Sequence, residues 1–228
     1  VKGSESGGRI GEETSFILLQ RVMAQLAPQV PVWVQGGVGY HSAAGCIAGG
    51  AAGVVLDSQL ALLRESTLRK PLKDALSALD GSETVVRSGH RVYSRPDLLA
   101  ARLATPEDVT GLLGSDDLQT QLLPAGQDAA FARDLAGRFG TARATVRGLR
   151  RAIDGHLRQA QALRPLAENS PLARAMGTRW PIAQGPMTRV SDRAAFAVEV
   201  ADAGGLPFLA LSLLRGPKVR SLLKETAA

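Results

Sequence analysis

The segment from Pro31 to Asp57, PVWVQGGVGYHSAAGCIAGGAAGVVLD, constrains the fold more than any other part of the chain. VPVWVQ (30–35) is a short apolar run without alternation, which suits a strand buried on both faces, as parallel sheets require. Gly36-Gly37 interrupts it, and the small residues after Ser42 predict a short helix that ends at Gly49-Gly50. GVVLD (53–57) then reads as a second buried strand. Strand, glycine turn, helix, strand is a βαβ unit, whose crossover is almost always right-handed.

Ahead of this unit, KGSESGGRIGEETSFILLQRV (2–22) sets glycines and one carboxylate, Glu5, directly before a helix. Phe16, Leu19, Val22, Met23 and Leu26 recur at helical spacing, and Pro28 and Pro31 are expected to stop the helix. Paired glycines cost backbone entropy, so they mark positive φ or a place where a ligand approaches the main chain. The opening reads as the end of a strand running into a ligand loop, so the chain is expected to begin inside a domain. Gly49-Gly50 and Gly204-Gly205 read equally well as simple helix stops.

Alternation fades in the middle of the chain. LDGSETVVRSGHRVYSRPD suggests a small hairpin with Asp80-Gly81 as turn residues. GQDAAFARDLAGRF and TARATVRGLRRAIDGHLRQAQAL read as helices; in the second, Val146, Leu149, Ile153, Leu157, Ala160 and Leu163 form one stripe and most arginines fall off it. Alternation then returns. WPIAQGPM (180–187) reads as a strand ending in a Gly-Pro turn, and SDRAAFAVEVADAGG as a helix with Ser191 as N-cap. LPFLAL reads as a strand, and Pro217 as a residue of a helix's first turn.

The formal net charge of +6 raises nucleic acid as a partner, but only 4% of residues are aromatic and no nucleic-acid-binding motif is present. The excess is local: between 133 and 164 there are eight arginines (133, 138, 143, 147, 150, 151, 158 and 164) against Asp134 and Asp154. No apolar run approaches the roughly 18 residues of a membrane span. No signal peptide is expected, and the single cysteine, Cys46, fits a reducing, cytoplasmic setting and reads as a packing residue. His41, His90 and His156 show no metal-ligand spacing with one another or with Cys46, so no metal site is expected and each reads as a surface or loop histidine.

SESGGRIGEETSFILLQRV, PVWVQGGVG and GGAAGVVLDSQLAL, in that order, resemble the C-terminal strands of flavin-dependent (β/α)8 barrels: the nitronate monooxygenases and the FMN-dependent enoyl-acyl-carrier-protein reductases. PIAQGPMTRVSDRAAFAVEVADAGGLPFLAL resembles the N-terminal strands of the same family. The order, with a helical linker carrying LLPAGQDAAFA, is similar to tandem flavin barrels in large bacterial polyketide or fatty-acid synthases. The resemblance implies an α/β chain made of partial TIM-barrel segments: the end of one barrel over 1–66, a helical linker with a hairpin over 67–170, and the start of a second barrel over 171–228. It implies FMN held by Gly3, Glu5, Gly7, Gly8, Gly36, Gly37 and Ser58, with Gln184, Gly185 and Met187 near the flavin of the second barrel. Glycine loops at strand ends suit this, because bare N–H groups and a helix N-terminus hold phosphate.

Two departures stand out. Arg9 occupies the position of the family's catalytic histidine and cannot shuttle a proton. Asp57 precedes Ser58 where the family has Gly-Thr, and its charge would repel phosphate unless turned away. The expected function is therefore a segment of an FMN-dependent oxidoreductase, inactive in isolation, that reduces enoyl thioesters or oxidises nitronates. The alternative is a degenerate barrel pair acting as scaffold or docking surface. Implied partners are an acyl carrier protein, neighbouring synthase domains and a small-molecule substrate, with no nucleic acid and no membrane.

Overall fold

The computed structural model describes residues 1–26, 29–95, 97–98 and 109–226. They form two compact units, 1–158 and 159–228.

In the first unit the elements are β1 (Gly8–Arg9), α1 (Ser15–Gln25), β2 (Trp33–Gln35), α2 (Ser42–Ala48), β3 (Gly53–Val55), α3 (Lys70–Ser77), β4 (Thr84–Arg87), β5 (His90–Tyr93), α4 (Ala132–Phe139) and α5 (Ala142–Leu163), the last belonging to this unit up to residue 158. β2 and β3 pair in parallel with Val34 opposite Val54. Lys2 bridges Gln35, also in parallel, through Gln35 N–H to Val1 O at 3.0 Å and Gly3 N–H to Gln35 O at 2.8 Å. Three parallel segments therefore lie side by side, and the loops that leave them emerge at one end. The expected βαβ unit is present, with strands shorter than the apolar runs that predict them.

The core beneath these strands joins Leu19 of α1, Val32, Val34 and Val38, Ala43 and Cys46 of α2, Ala51, and Leu149 of α5. Only the middle of the α1 stripe is covered: Leu19 is buried, Val22 and Met23 pack at the core's margin, and Phe16 and Leu26 stay exposed where the helix overhangs two three-residue strands. Pro28, expected to end this helix, lies outside the described residues. Burial pushes the Cys46 thiol upward in pKa, consistent with a packing role.

On α5 the buried face is Thr145, Gly148, Leu149 and Ala152, rotated from the expected stripe, and Val146 is 61% exposed. Small residues cause the rotation. A Cβ on Gly148 would lie 2.1 Å from the Phe139 ring, and Thr145 Oγ1 donates to Thr141 O at 2.9 Å, so the helix approaches α4 along its small, polar side. Arg143, Arg147, Arg150, Arg151 and Arg158 all face solvent, as expected.

The hairpin forms as β4 and β5, but its turn is Ser88-Gly89, both at positive φ (46° and 71°), rather than Asp80-Gly81. Paired positive φ is what two-residue hairpin loops need to match the twist of their strands. Asp80 instead makes the turn before β4, accepting the Ser82 N–H, and the Ser82 side chain and N–H together lower its pKa. β5 also pairs with β1, placing Arg91 opposite Gly8.

In the second unit, α6 (Pro171–Met176), α7 (Ala194–Asp202) and α8 (Gly216–Thr226) accompany a single parallel bridge between Ala183 and Leu206. The two strands expected there stop at that bridge: the Phe208 N–H, next in line for the Gln184 carbonyl, is taken by the Gln184 side chain instead. Ser191 is not the cap of α7: its Oγ accepts the Met187 N–H at 3.0 Å, and Arg193 holds the cap position. Gly204 ends α7 and Pro217 sits in the first turn of α8, both as expected.

Candidate functional site

The strand-end loops of the first unit carry most of the residues that the sequence singles out. Gly36 and Gly37 follow β2 with φ of +109° and +63°, conformations that L side chains rarely adopt. A Cβ on Gly36 would lie 2.9 Å from Ser6 Oγ and 3.1 Å from Glu5 Oε2, so the two loops interlock. Glu5 Oε2 accepts the Ser15 N–H at 3.0 Å and Glu5 Oε1 accepts the Ser15 hydroxyl at 3.2 Å. Its carboxylate therefore satisfies the first turn of α1, where negative charge is favoured. A Cβ on Gly3 would strike that carboxylate at 2.2 Å. Gly3, Glu5, Gly36, Gly37 and Ser58 are thus brought into one cradle.

A residue without a role in the sequence reading closes it. Asp128, buried in the 3₁₀ turn Gln127–Phe131, accepts Ser58 Oγ–H at 3.2 Å and Gln59 Nε2–H at 3.0 Å, and the nearby Gly37 N–H favours its charged form. Gln59 is itself buried and fully committed, donating to Val38 O at 2.9 Å and accepting the Asp57 N–H at 2.7 Å. The Gly126 N–H donates to Ser58 Oγ at 3.0 Å. Behind Asp128 the chain is wedged against the first loop: a Cβ on Gly7 would lie 2.9 Å from backbone atoms of Ala125 and Gly126, and one on Gly126 would lie 2.4 Å from Glu5 O.

The electrostatics follow from burial. Burial pushes the Asp128 carboxyl up to about 6; the Ser58 hydroxyl and Gly37 N–H oppose the shift, and the charges of Asp57 and Glu5 add to it. Arg91 reaches in from β5, with Nε donating to Ser4 O and Nη1 to Thr84 Oγ1. Its burial lowers its pKa while Glu5 and Asp128 hold its charge in place. Asp57 turns outward, exposed, and accepts Gln35 Nε2–H at 2.9 Å.

These residues do not fit a phosphate as they are arranged. The Ser58 hydroxyl, an expected donor, serves Asp128, whose carboxylate also lies beside the Gly37 N–H, and a dianion would stand against that carboxylate. One polar atom is left over: Ser6 Oγ is fully buried and has no partner.

The other expected residues lie elsewhere. Arg9 is exposed on β1 opposite His90, and Gly8 borders Pro124. Gln184, Gly185 and Met187 belong to the second unit, where Gln184 Oε1 accepts the Phe208 N–H at 3.2 Å and Met187 is 63% exposed. His41 and His156, 115 residues apart in sequence, meet with Nδ1 and Nε2 3.1 Å apart, beside Tyr40, over which Arg138 stacks at 4.3 Å. Among the described residues no group of three or more His, Cys, Asp or Glu is placed to hold a metal ion, and no helix is long and apolar enough to cross a membrane.

Asp128 and Arg91 are the residues that sequence reasoning missed. Asp128 stands in GQDAAFA, where an acid two residues after a glycine and ahead of a small, apolar run was the available signal. Arg91 carries none.

No family model matches the sequence and no curated relative matches it. Among solved structures, FabK from Thermotoga maritima is similar at a TM-score of 0.60 and 23% identity, over 71% of this chain and 56% of that one. A methionine-to-alanine mutant of the same protein gives 0.61 and 23%, over 71% and 54%. This chain therefore spans little more than half the length of those structures. Among the described residues the strands do not close into a ring. The fold is α/β, that of part of a (β/α)8 barrel.

Proposed function

We propose that this chain is a segment of an FMN-dependent oxidoreductase-type protein, enoyl-reductase-like or nitronate-monooxygenase-like, within a polyketide or fatty-acid synthase, and that its 1–158 unit serves there as a non-catalytic scaffold. The FabK-like fold and the glycine loops at the strand ends support the ancestry. The observation that carries the scaffold reading is the closed cradle, in which the donors suited to a flavin phosphate bond to Asp128 and the Ala125–Gly126 backbone fills the space against Gly7. Arg9 agrees with it. An exposed guanidinium at a strand edge neither reaches the cradle nor transfers protons at working pH.

What remains for a scaffold is docking. The arginines of α5 present a mainly cationic face, interrupted by exposed Asp154, that suits an acidic acyl carrier protein, and such contacts set encounter rate and orientation more than affinity. Titrating FMN into the 228-residue chain and following quenching of flavin fluorescence tests the reading. No quenching is expected, and sub-micromolar binding would overturn it.

A further inference from the structure

We infer that the cradle is an anion site occupied by the chain's own carboxylate: the 124–131 segment is an internal ligand, with Asp128 as its anionic head. This rests on the scaffold reading and says how the flavin site was lost, by self-occupation rather than by decay of the loops.

Three observations carry it. The first is the kind of group around Asp128. Its carboxylate accepts a serine hydroxyl at one strand end and a glutamine amide, and it lies beside the Gly37 N–H at the neighbouring strand end, so neutral donors converge on one anion. Converging neutral donors are the usual way to hold an oxyanion, and they are costly to leave unpaired when buried. The second is Ser6 Oγ, buried without a partner beside Gly36. A carboxylate has two oxygens where a phosphate has more, so an occupant smaller than the cradle's donor set leaves a donor over. The third is the space next door. Gly37 also lines a cavity of about 310 Å³, walled by Tyr40, His41, Phe131, Asp134 and Arg138. An anion larger than a carboxylate therefore has space to extend into, along a wall that carries both Arg138 and Asp134. Glu5 and Asp57 do not compete for these donors, since each is bonded elsewhere.

Shortening Asp128 should vacate the head of the internal ligand and leave its donors unpaired, so that a soluble phosphate can take its place. The probe is inorganic phosphate, titrated against Asp128→Ala and Asp128→Ser in the full chain, with urea unfolding of the first unit read from Trp33 after Trp180→Phe. Asp128→Ser keeps one hydrogen-bonding group and serves if the alanine variant does not fold. Phosphate at ten times its Kd should raise the folded-to-unfolded ratio of the variant about elevenfold and leave Asp128-containing protein unchanged. FMN should act as phosphate does, and riboflavin, which lacks the phosphate, should not. A folded variant with no phosphate response overturns the inference, as does an equal response with and without Asp128, or formate acting as well as phosphate. These failures are distinct from failure of the scaffold reading, which would show as FMN binding by the unmodified chain.

Discussion

Asp128 should make the first unit less stable as pH rises, the reverse of the usual carboxylate pattern. Its pKa stands at about 6 in the fold against 3.8 for the ordinary group. Between those values the native state holds a proton that the unfolded chain has released, so the native state is favoured below pH 4 and loses that advantage as pH climbs through 6. A displacement of this size, at about 1.4 kcal/mol per pKa unit, corresponds to about 3 kcal/mol. Part of this is already lost at pH 4, so with a urea slope of about 2 kcal/mol/M the unfolding midpoint should fall by about 1 M between pH 4 and pH 7. Asp128→Asn removes the titration and keeps the shape. The amide presents one acceptor oxygen where the carboxylate has two, so the variant starts lower, by about 1–3 kcal/mol for the donor it strands. Its pH profile over this range should nevertheless lack the fall. Other groups titrate in both proteins and cancel in the difference. Trp33 fluorescence in a Trp180→Phe background confines the reading to the first unit, because the chain has only these two tryptophans. Parallel pH profiles for the Asp128-containing protein and the Asp128→Asn variant would refute the argument.

Three further outcomes follow from the same geometry. Gly7→Ala drives a methyl into backbone atoms of Ala125 and Gly126 at 2.9 Å, and because neither is a side chain that can swing away, urea unfolding should show a loss of about 1–3 kcal/mol. Glu5→Ala strips the acceptor from the Ser15 N–H and hydroxyl at the start of α1, which should cost about 1–2 kcal/mol in the same assay. Replacing Arg143, Arg147 and Arg151 with glutamate should slow association with a cognate acidic carrier protein at low salt, measured by stopped flow, while circular dichroism shows α5 intact; unchanged association returns this face to the solvent.

The sequence by itself determined the local grammar of this protein. Apolar runs broken by glycine pairs specify short parallel strands with helices between them, since a run of valines at 30–35 and 53–57 has no polar face to offer water. Gly36-Gly37 announces a positive-φ loop, Gly204 a helix stop and Pro217 a helix start, each through the backbone chemistry of one residue type. These are properties of neighbours in the chain, and neighbours are legible. Tertiary structure alone decided what fills the loops so built. Asp128 reaches Ser58 across 70 residues and Gln59 across 69, and Arg91 reaches Ser4 across 87. Nothing periodic links such positions, and no local signal says that a carboxylate far along the chain will take the donors that a glycine loop presents. The face of α5 was decided the same way: its apolar stripe predicts one orientation, but Gly148 lets Phe139 approach where no larger residue could, and close packing turned the helix toward it. Hydrophobic pattern is written in sequence because burial is a property of each residue; the pairing of buried polar groups is a property of the folded chain, and only the fold could show that this cradle is already full.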